Sequence, residues 1–356
     1  MDLLPLEKLF ARVATDRSKF PRLDVDYLLL YQGLVNYLRA ELYSDIDTGL
    51  AVNSLVPGFY TAHNAEHFDE VIQYAGFLLG VDTGDENIDL SPYEIYILLV
   101  AIRIHDAGNI HGREMHEKKC FSVLRECGDV AGSDNAEKKI IATIAQAHGG
   151  KTNAGDKDTI GDLESSKTVS KGIIRPRLIA SIVRFADEIC ENRNRASNYS
   201  LKHGTLPKHS EVFHKYAASI SGNAIKDQRL FIDYKVSLED IKKSWGCAVG
   251  GEKTETFLVD EILERLEKMD RERRYCNIYS RELYTVNSIR ASIQVIDEDH
   301  DHETVENIPV PELSDSGYPE AQKGGLKEQL KDYCGAELHQ RLTIKAMEEK
   351  NENSAV

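Results

Sequence analysis

The sequence has no apolar run of the ~20 residues that a membrane-spanning helix needs. Its longest, Ile95 to Ile104, is interrupted by Arg103 and leads straight into His105. It also lacks a basic excess, since 44 Lys and Arg face 59 Asp and Glu for a formal charge of −15. Proteins that coat nucleic acid nonspecifically need a basic surface, so that class is excluded. A small anionic substrate is not excluded, because a metal or an arginine cluster overrides the net field at short range. The six cysteines form no CxxC pair, which reads as reduced thiols rather than a disulfide frame or a zinc–thiolate site. At the N-terminus, Asp2 stands where a signal peptide would carry bases, and no cleavable apolar segment follows. A cytoplasmic protein without membrane contact is expected.

What the chain does have is the balance of a globular protein, 41% hydrophobic and 29% charged over 356 residues, enough for a substantial core. Apolar residues recur at three- and four-residue spacing over 27–42, 66–79, 92–104, 114–125, 136–147 and 174–191, which predicts helices there. Ser91-Pro92 with Glu94 has the form of a helix start. Asn135 is the expected cap before Ala136, and Gly149-Gly150 the expected stop after His148. Residues 152–171 are polar and aperiodic, so they read as a surface loop beside the candidate site, placed to act as a lid.

The pattern changes near residue 224. Residues 230–236 alternate like a strand, 256–275 read as a charged helix, and 284–296 alternate again. From Asp297 the chain turns acidic and reads as a linker, with a short helix expected near 327–350. The fold class expected is mainly α, with a small C-terminal α+β appendage. The division expected is a helical domain over 1–220, an α+β subdomain over 221–297 and an acidic, partly disordered tail over 298–356. The appendage is assigned to regulation or to a homodimer contact. His203, His209 and His214 read as surface residues of a polar connector, His300 and His302 as exposed, and Trp245 as packing for the appendage.

Five segments hold His or Asp at positions that need a reason. They are His63-Asn64-Ala65-Glu66-His67, Ile104-His105-Asp106, His111 to His116, Ala147-His148-Gly149, and Arg184 to Glu188. Helix neighbours diverge by about 100°, so His105 and Asp106 cannot both point into plain core. An aspartate at the inner end of an apolar helix is costly to bury without a partner, and a divalent cation shared with imidazoles supplies one.

In order, His67, His105-Asp106 and Asp187 resemble the H…HD…D signature of the HD superfamily of metal-dependent phosphohydrolases, whose fold is a helical bundle. His116 and His148 fall where two-metal members such as the HD-GYP phosphodiesterases place further ligands. His63-Asn64-x-x-His67 is similar to the string of the cyclic-nucleotide phosphodiesterases, where the first histidine is the proton donor. The string Gly108-Asn109-x-x-Gly112-Arg113-Glu114-x-His116-Glu117, with the appendage, resembles the HD-CE type of bacterial conflict-system proteins. The chain departs from HD-GYP in lacking its Gly-Tyr-Pro loop and His-His-Glu string, since Gly317-Tyr318-Pro319 lies far past Asp187.

The resemblance implies one divalent metal on His67, His105, Asp106 and Asp187. A second ion would be bridged by Asp106 and completed by His116 and His148, with His111 as a further candidate. Mixed imidazole and carboxylate suits Mn, Fe, Co, Ni or Zn better than Mg alone. His63, one turn before His67, is the expected acid for the leaving oxygen, with Asp106 at the catalytic centre. Arg113, Lys151, Arg193 and Arg195 are the expected phosphate contacts. The activity implied is hydrolysis of a phosphoester in a nucleotide or a cyclic or oligonucleotide by metal-activated water. A dinuclear-iron oxygenase uses much the same ligand set, and a non-catalytic nucleotide sensor would use the same pocket.

Overall fold

The computed structural model describes residues 3–55, 60–81, 88–249, 252–298, 303–315 and 344. His300, His302, Gly317-Tyr318-Pro319 and, Ile344 apart, the helix expected near 327–350 lie outside them. The chain divides into two compact units, Met1–Leu313 and Ser314–Val356, and everything below belongs to the first.

The helical part runs through α1 (Pro5–Val13), α2 (Tyr27–Tyr37), α3 (Tyr43–Asn53), α4 (Ala65–Leu78), α5 (Pro92–Ile104), α6 (Cys120–Glu126), α7 (Asn135–Gln146), α8 (Pro176–Ile189), α9 (Asn198–His203) and α10 (Glu211–Ser219). The hairpin β1 (Lys167–Val169) and β2 (Gly172–Ile174) interrupts it between α7 and α8. Strands β3 (Ile220–Lys226) and β4 (Arg229–Ser237) follow, then the short α11 (Leu238–Ile241), the hairpin β5 (Ser244–Val249) with β6 (Glu252–Phe257), the long α12 (Leu258–Ser280), β7 (Ser288–Asp297) and β8 (Glu303–Ile308). The fold is therefore mainly α with a small α+β part, as expected. No helix among the described residues is long and apolar enough to cross a membrane.

The near-continuous apolar run of α5 is explained by position, because every residue from Tyr93 to Ile104 is buried. Its start is a capping box in which the Ser91 side chain accepts from Glu94 N–H and the Glu94 side chain reaches back to Ser91 N–H. Arg103, the charge inside that run, is buried with its partners. Nη2 donates to Glu7 Oε1 at 2.8 Å, Nη1 to Asp69 Oδ1 at 2.6 Å and Nε to the Tyr31 hydroxyl at 3.2 Å. One guanidinium thereby ties α5 to α1, α2 and α4.

In the main sheet β3 and β4 are antiparallel, β4 and β7 parallel from Arg229↔Ser288 to Ser237↔Ile296, and β7 and β8 antiparallel. A parallel pair needs a crossover, here built from α11, the β5–β6 hairpin and α12. Helix α12 packs against α8, so the crossover lies on the helical body.

Several expectations shift at this level. The cap of α7 is Asp134, not Asn135; its carboxylate accepts from Ala136 N–H at 2.8 Å and Glu137 N–H at 3.3 Å, which a residue inside the first turn cannot do. Residues 303–308, read as acidic linker, form β8 because β7 offers them an open edge. His214 is buried, not at the surface, and its Nδ1 accepts from Ser197 N–H at 3.1 Å. The loop read as a lid is anchored in its second half. Ile160 is buried, Asp158 accepts from the hydroxyls of Tyr275 and Tyr279, and Arg177 donates to Gly161 and Leu163 carbonyls.

Candidate metal centre

Three local features aim the site residues inward. Asn64 caps α4, accepting from Glu66 and His67 N–H, so His63 and His67 straddle the helix start. His105 and Asp106 end α5, and the chain then turns back through Ala107–His111. A Cβ on Gly108 would collide with the His116 carbonyl oxygen, so glycine there permits the return that brings His116 beneath Asp106. Met115, immediately before His116, sits in the left-handed region at φ 54°. His148 follows the end of α7, and Asp187 projects from α8.

Asp106 is the hub. Its Oδ2 lies 3.6 Å from both His63 Nε2 and His67 Nε2 and 3.7 Å from His105 Nε2. Its Oδ1 lies 2.8 Å from His116 Nε2 and 3.4 Å from His148 Nε2. Asp187 Oδ1 closes the first group at 3.5 Å from His67 and 3.4 Å from His105. Two donor sets result, His67–His105–Asp106–Asp187 and Asp106–His116–His148, each with its atoms within 4.8 Å of one another. Ligand bonds of about 2.0–2.2 Å span such spacings.

The tautomers are set from behind. The Nδ1 atoms of His63, His105, His116 and His148 face the carbonyl oxygens of Thr61, Ile102, Arg113 and Ala145 at 2.5 to 2.9 Å. Each therefore carries its proton on Nδ1 when neutral and turns an Nε2 lone pair inward. His67 Nδ1 instead meets Cys190 Sγ at 3.6 Å. The inward atoms do not satisfy one another. His67 Nε2, His105 Nε2 and Asp106 Oδ1 are buried without hydrogen-bonding geometry to any partner, a costly arrangement that a shared cation relieves. The residues present therefore fit a divalent metal.

The electrostatics of the site make the same demand for positive charge. Burial lowers the pKa of His63, His67 and His148. At His105 burial is outweighed by the carboxylates of Asp106 and Asp187, which raise it to about 9. Burial raises both carboxyl groups, but the His105 charge and the surrounding imidazoles carry Asp106 and Asp187 well below the usual carboxylate range. The buried Asp106 and the partly exposed Asp187 thus hold a proton on His105 where a metal cation would supply the charge.

A cavity of about 580 Å³ opens over the site. Arg113, Lys151 and Arg195, expected to hold phosphate, line it together with His63, Asp106, His116, His148 and Asp187. Arg195 is buried, donating to Glu191 Oε1 at 3.0 Å and to the Ala62 carbonyl, with Nη2 3.5 Å from His63 Nε2. Arg193 and His111 are exposed and do not line this cavity. Sequence reasoning missed the far wall, where α12 supplies Arg265, Lys268 and Glu272. With Glu261 they recur at helical spacing as a charged stripe, which the sequence shows only as a charged helix over 256–275. Lys157 on the loop was missed as well.

The HD-CE family matches residues 56–247, more than half of the chain, and so takes in every residue of both donor sets but none of α12. No curated protein matches the chain.

Proposed function

Because the chain belongs to the HD-CE family, we propose that it is a metal-dependent phosphohydrolase acting on a phosphoester of a nucleotide or a cyclic or oligonucleotide. The observation that carries the reading is the division of Asp106, with one carboxylate oxygen toward each donor set. Asp106 would therefore serve both sets if each held a divalent metal. A bound divalent metal would lower the pKa of water and polarise a phosphoryl oxygen.

The chain's own residues supply the rest. Arg113 and Lys151 face the cavity as donors for phosphate oxygens, and arginine suits two oxygens at once, while Arg195 is held by Glu191 and the Ala62 carbonyl beside His63. His63 has a more specific task than the acid expected for it. With Nδ1–H on the Thr61 carbonyl and its pKa well below the ordinary value because of burial, the resting ring is neutral and Nε2 is an acceptor. It therefore takes a proton from the attacking water and returns it to the leaving oxygen as the new phosphorus–oxygen bond forms and the old one breaks.

The test is chromatography of a mixed pool of mono-, di-, tri- and cyclic nucleotides incubated with the protein and manganese, alongside Asp106→Ala. Loss of one class, dependent on Asp106, is expected. If no nucleotide is consumed by either protein, the reading fails. Iron-dependent oxygen uptake in its place would favour the dinuclear-iron oxygenase.

A further inference from the structure

A second cavity, of about 440 Å³, adjoins the first and shares Tyr60 and Arg195 with it. Its walls differ in kind. Leu50, Ala51, Ala62 and Ala196 make it largely apolar, with Asp47, Asn194, Thr48, Ser197 and His214 as polar groups at its edges. Small-molecule sites have this makeup and size, an apolar slot with a few polar atoms that fix orientation. The slot is also mechanically joined to the reactive centre. Asp47 Oδ1 accepts the His63 backbone N–H at 2.8 Å. Arg195, on the dividing wall, reaches toward His63 Nε2.

We propose that this second cavity holds the base of a nucleotide whose phosphate lies in the metal-centred cavity. The proposal rests on the hydrolase reading for its phosphate end only. The two cavities divide a nucleotide by chemistry. The cationic residues Arg113, Lys151 and Lys157 line the first, whereas among the described residues lining the second Arg195 alone carries a guanidinium or ammonium, and it is already paired with Glu191. A second phosphate in the slot would meet the Asp47 carboxylate without a free cation to offset it. An acyl chain would make no polar contact with Asp47 and Asn194, both exposed at the slot. A planar heteroaromatic base satisfies both demands, with its faces on apolar wall and on the Tyr60 ring and its edge donors and acceptors on Asp47 and Asn194. A base bound against Asp47 would also fix the backbone of His63, coupling recognition to proton transfer.

The test is titration of the full chain with adenosine, guanosine, cytidine and uridine by calorimetry or equilibrium dialysis, with manganese and again with the metal chelated. Saturable binding of at least one nucleoside is expected in both conditions. Ala51→Trp, which fills the slot, should weaken it at least tenfold. Asn194→Ala, a milder change at an exposed position, should weaken it several-fold and keeps the test open if the tryptophan variant misfolds. Failure of every nucleoside to bind, or binding indifferent to both substitutions, overturns the proposal whatever the turnover. Nucleoside binding without consumption of any nucleotide would instead overturn the hydrolase reading and leave the base site standing.

Discussion

Arg184 and Glu272 face each other in a bidentate pair, with guanidinium Nε and Nη2 at 2.6 and 2.9 Å from the two carboxylate oxygens. Arg184 lies three residues before Asp187 on α8, and Glu272 lies on α12, so this pair fixes the far wall of the cavity to the helix that presents an expected metal ligand. Both side chains are largely buried, at 6% and 13% exposure. Removing one partner of such a pair leaves a charge uncompensated, which typically costs about 3–5 kcal/mol. Arg184 keeps Thr159 and the Lys157 carbonyl as acceptors, so Glu272→Ala should cost about 3 kcal/mol by urea unfolding. A loss below about 1 kcal/mol would show that α12 is held elsewhere.

The two donor sets predict separable metal losses. Manganese-loaded protein should carry two ions per chain, and His116→Ala or His148→Ala should reduce this to one. Asp106→Ala should empty both positions and lower turnover by about a thousandfold or more, since the metals contribute several kcal/mol to the barrier. Chelation should also lower the unfolding free energy, by about 2.7 kcal/mol for each ion removed, relative to protein held at a hundred times that site's dissociation constant. Metal analysis decides the matter. Two ions retained in Asp106→Ala would contradict the bridging role.

The sequence announced the first donor set because its residues are polar groups at the inner ends of otherwise apolar helices, where burial without a partner is costly. His105-Asp106 after the run ending at Ile104 is the clearest instance. Local pattern also placed α5 from Pro92 to Ile104, because a capping box, a proline at the first position and an unbroken apolar run all agree. What it hid were tertiary relations. The charged stripe of α12 has the same appearance whether it faces water or a cavity, and only packing against α8 distinguishes them. Arg103 could be seen to interrupt an apolar run, but its partners Glu7 and Asp69 lie 96 and 34 residues away in sequence. Asp47 was invisible for a similar reason, since its part in the site is a single contact to the His63 backbone.

Away from the metal centre, Glu137 gives the fold a pH dependence of predictable sign. It is buried in α7, and one of its oxygens accepts from the hydroxyls of Tyr93 at 2.7 Å and Tyr27 at 3.1 Å. Burial raises its pKa above the ordinary 4.5, and the two hydroxyl donors only partly offset this. Between the ordinary and the raised value the folded chain keeps a proton that the unfolded chain has lost. Stability from this group is therefore full below about 4.5 and is lost as pH rises through the raised value. Glu137→Gln keeps an oxygen for both tyrosines and removes the ionisation. Its stability relative to the parent should improve as pH rises from about 4.5 and then level off. Urea midpoints measured between pH 4 and 8 check this, and a difference that is flat or slopes the other way would refute it.

Lys151 and Lys157 should act on binding and not on chemistry. Both are exposed, both line the metal-centred cavity, and among the described residues neither ammonium has an acidic partner. Lys268, by contrast, donates to Glu188 Oε2 at 2.6 Å, directly beside Asp187. A solvent-screened contact from each free lysine to a phosphate is worth up to about 1 kcal/mol, so the double alanine variant should raise KM about tenfold. Its kcat should stay within about twofold, because the contacts serve substrate and transition state alike. Raising salt should lift the parent's KM toward that of the variant, since exposed charges are screened within about 8–10 Å at moderate ionic strength. Lys268→Ala should behave differently. It removes the cation that offsets burial at Glu188 and so shifts the charge directly beside Asp187, and metal affinity and kcat should change with it. Steady-state kinetics of the two variants at two salt concentrations separates these outcomes, and an equal effect on kcat from both would mean the loop lysines take part in the reaction itself.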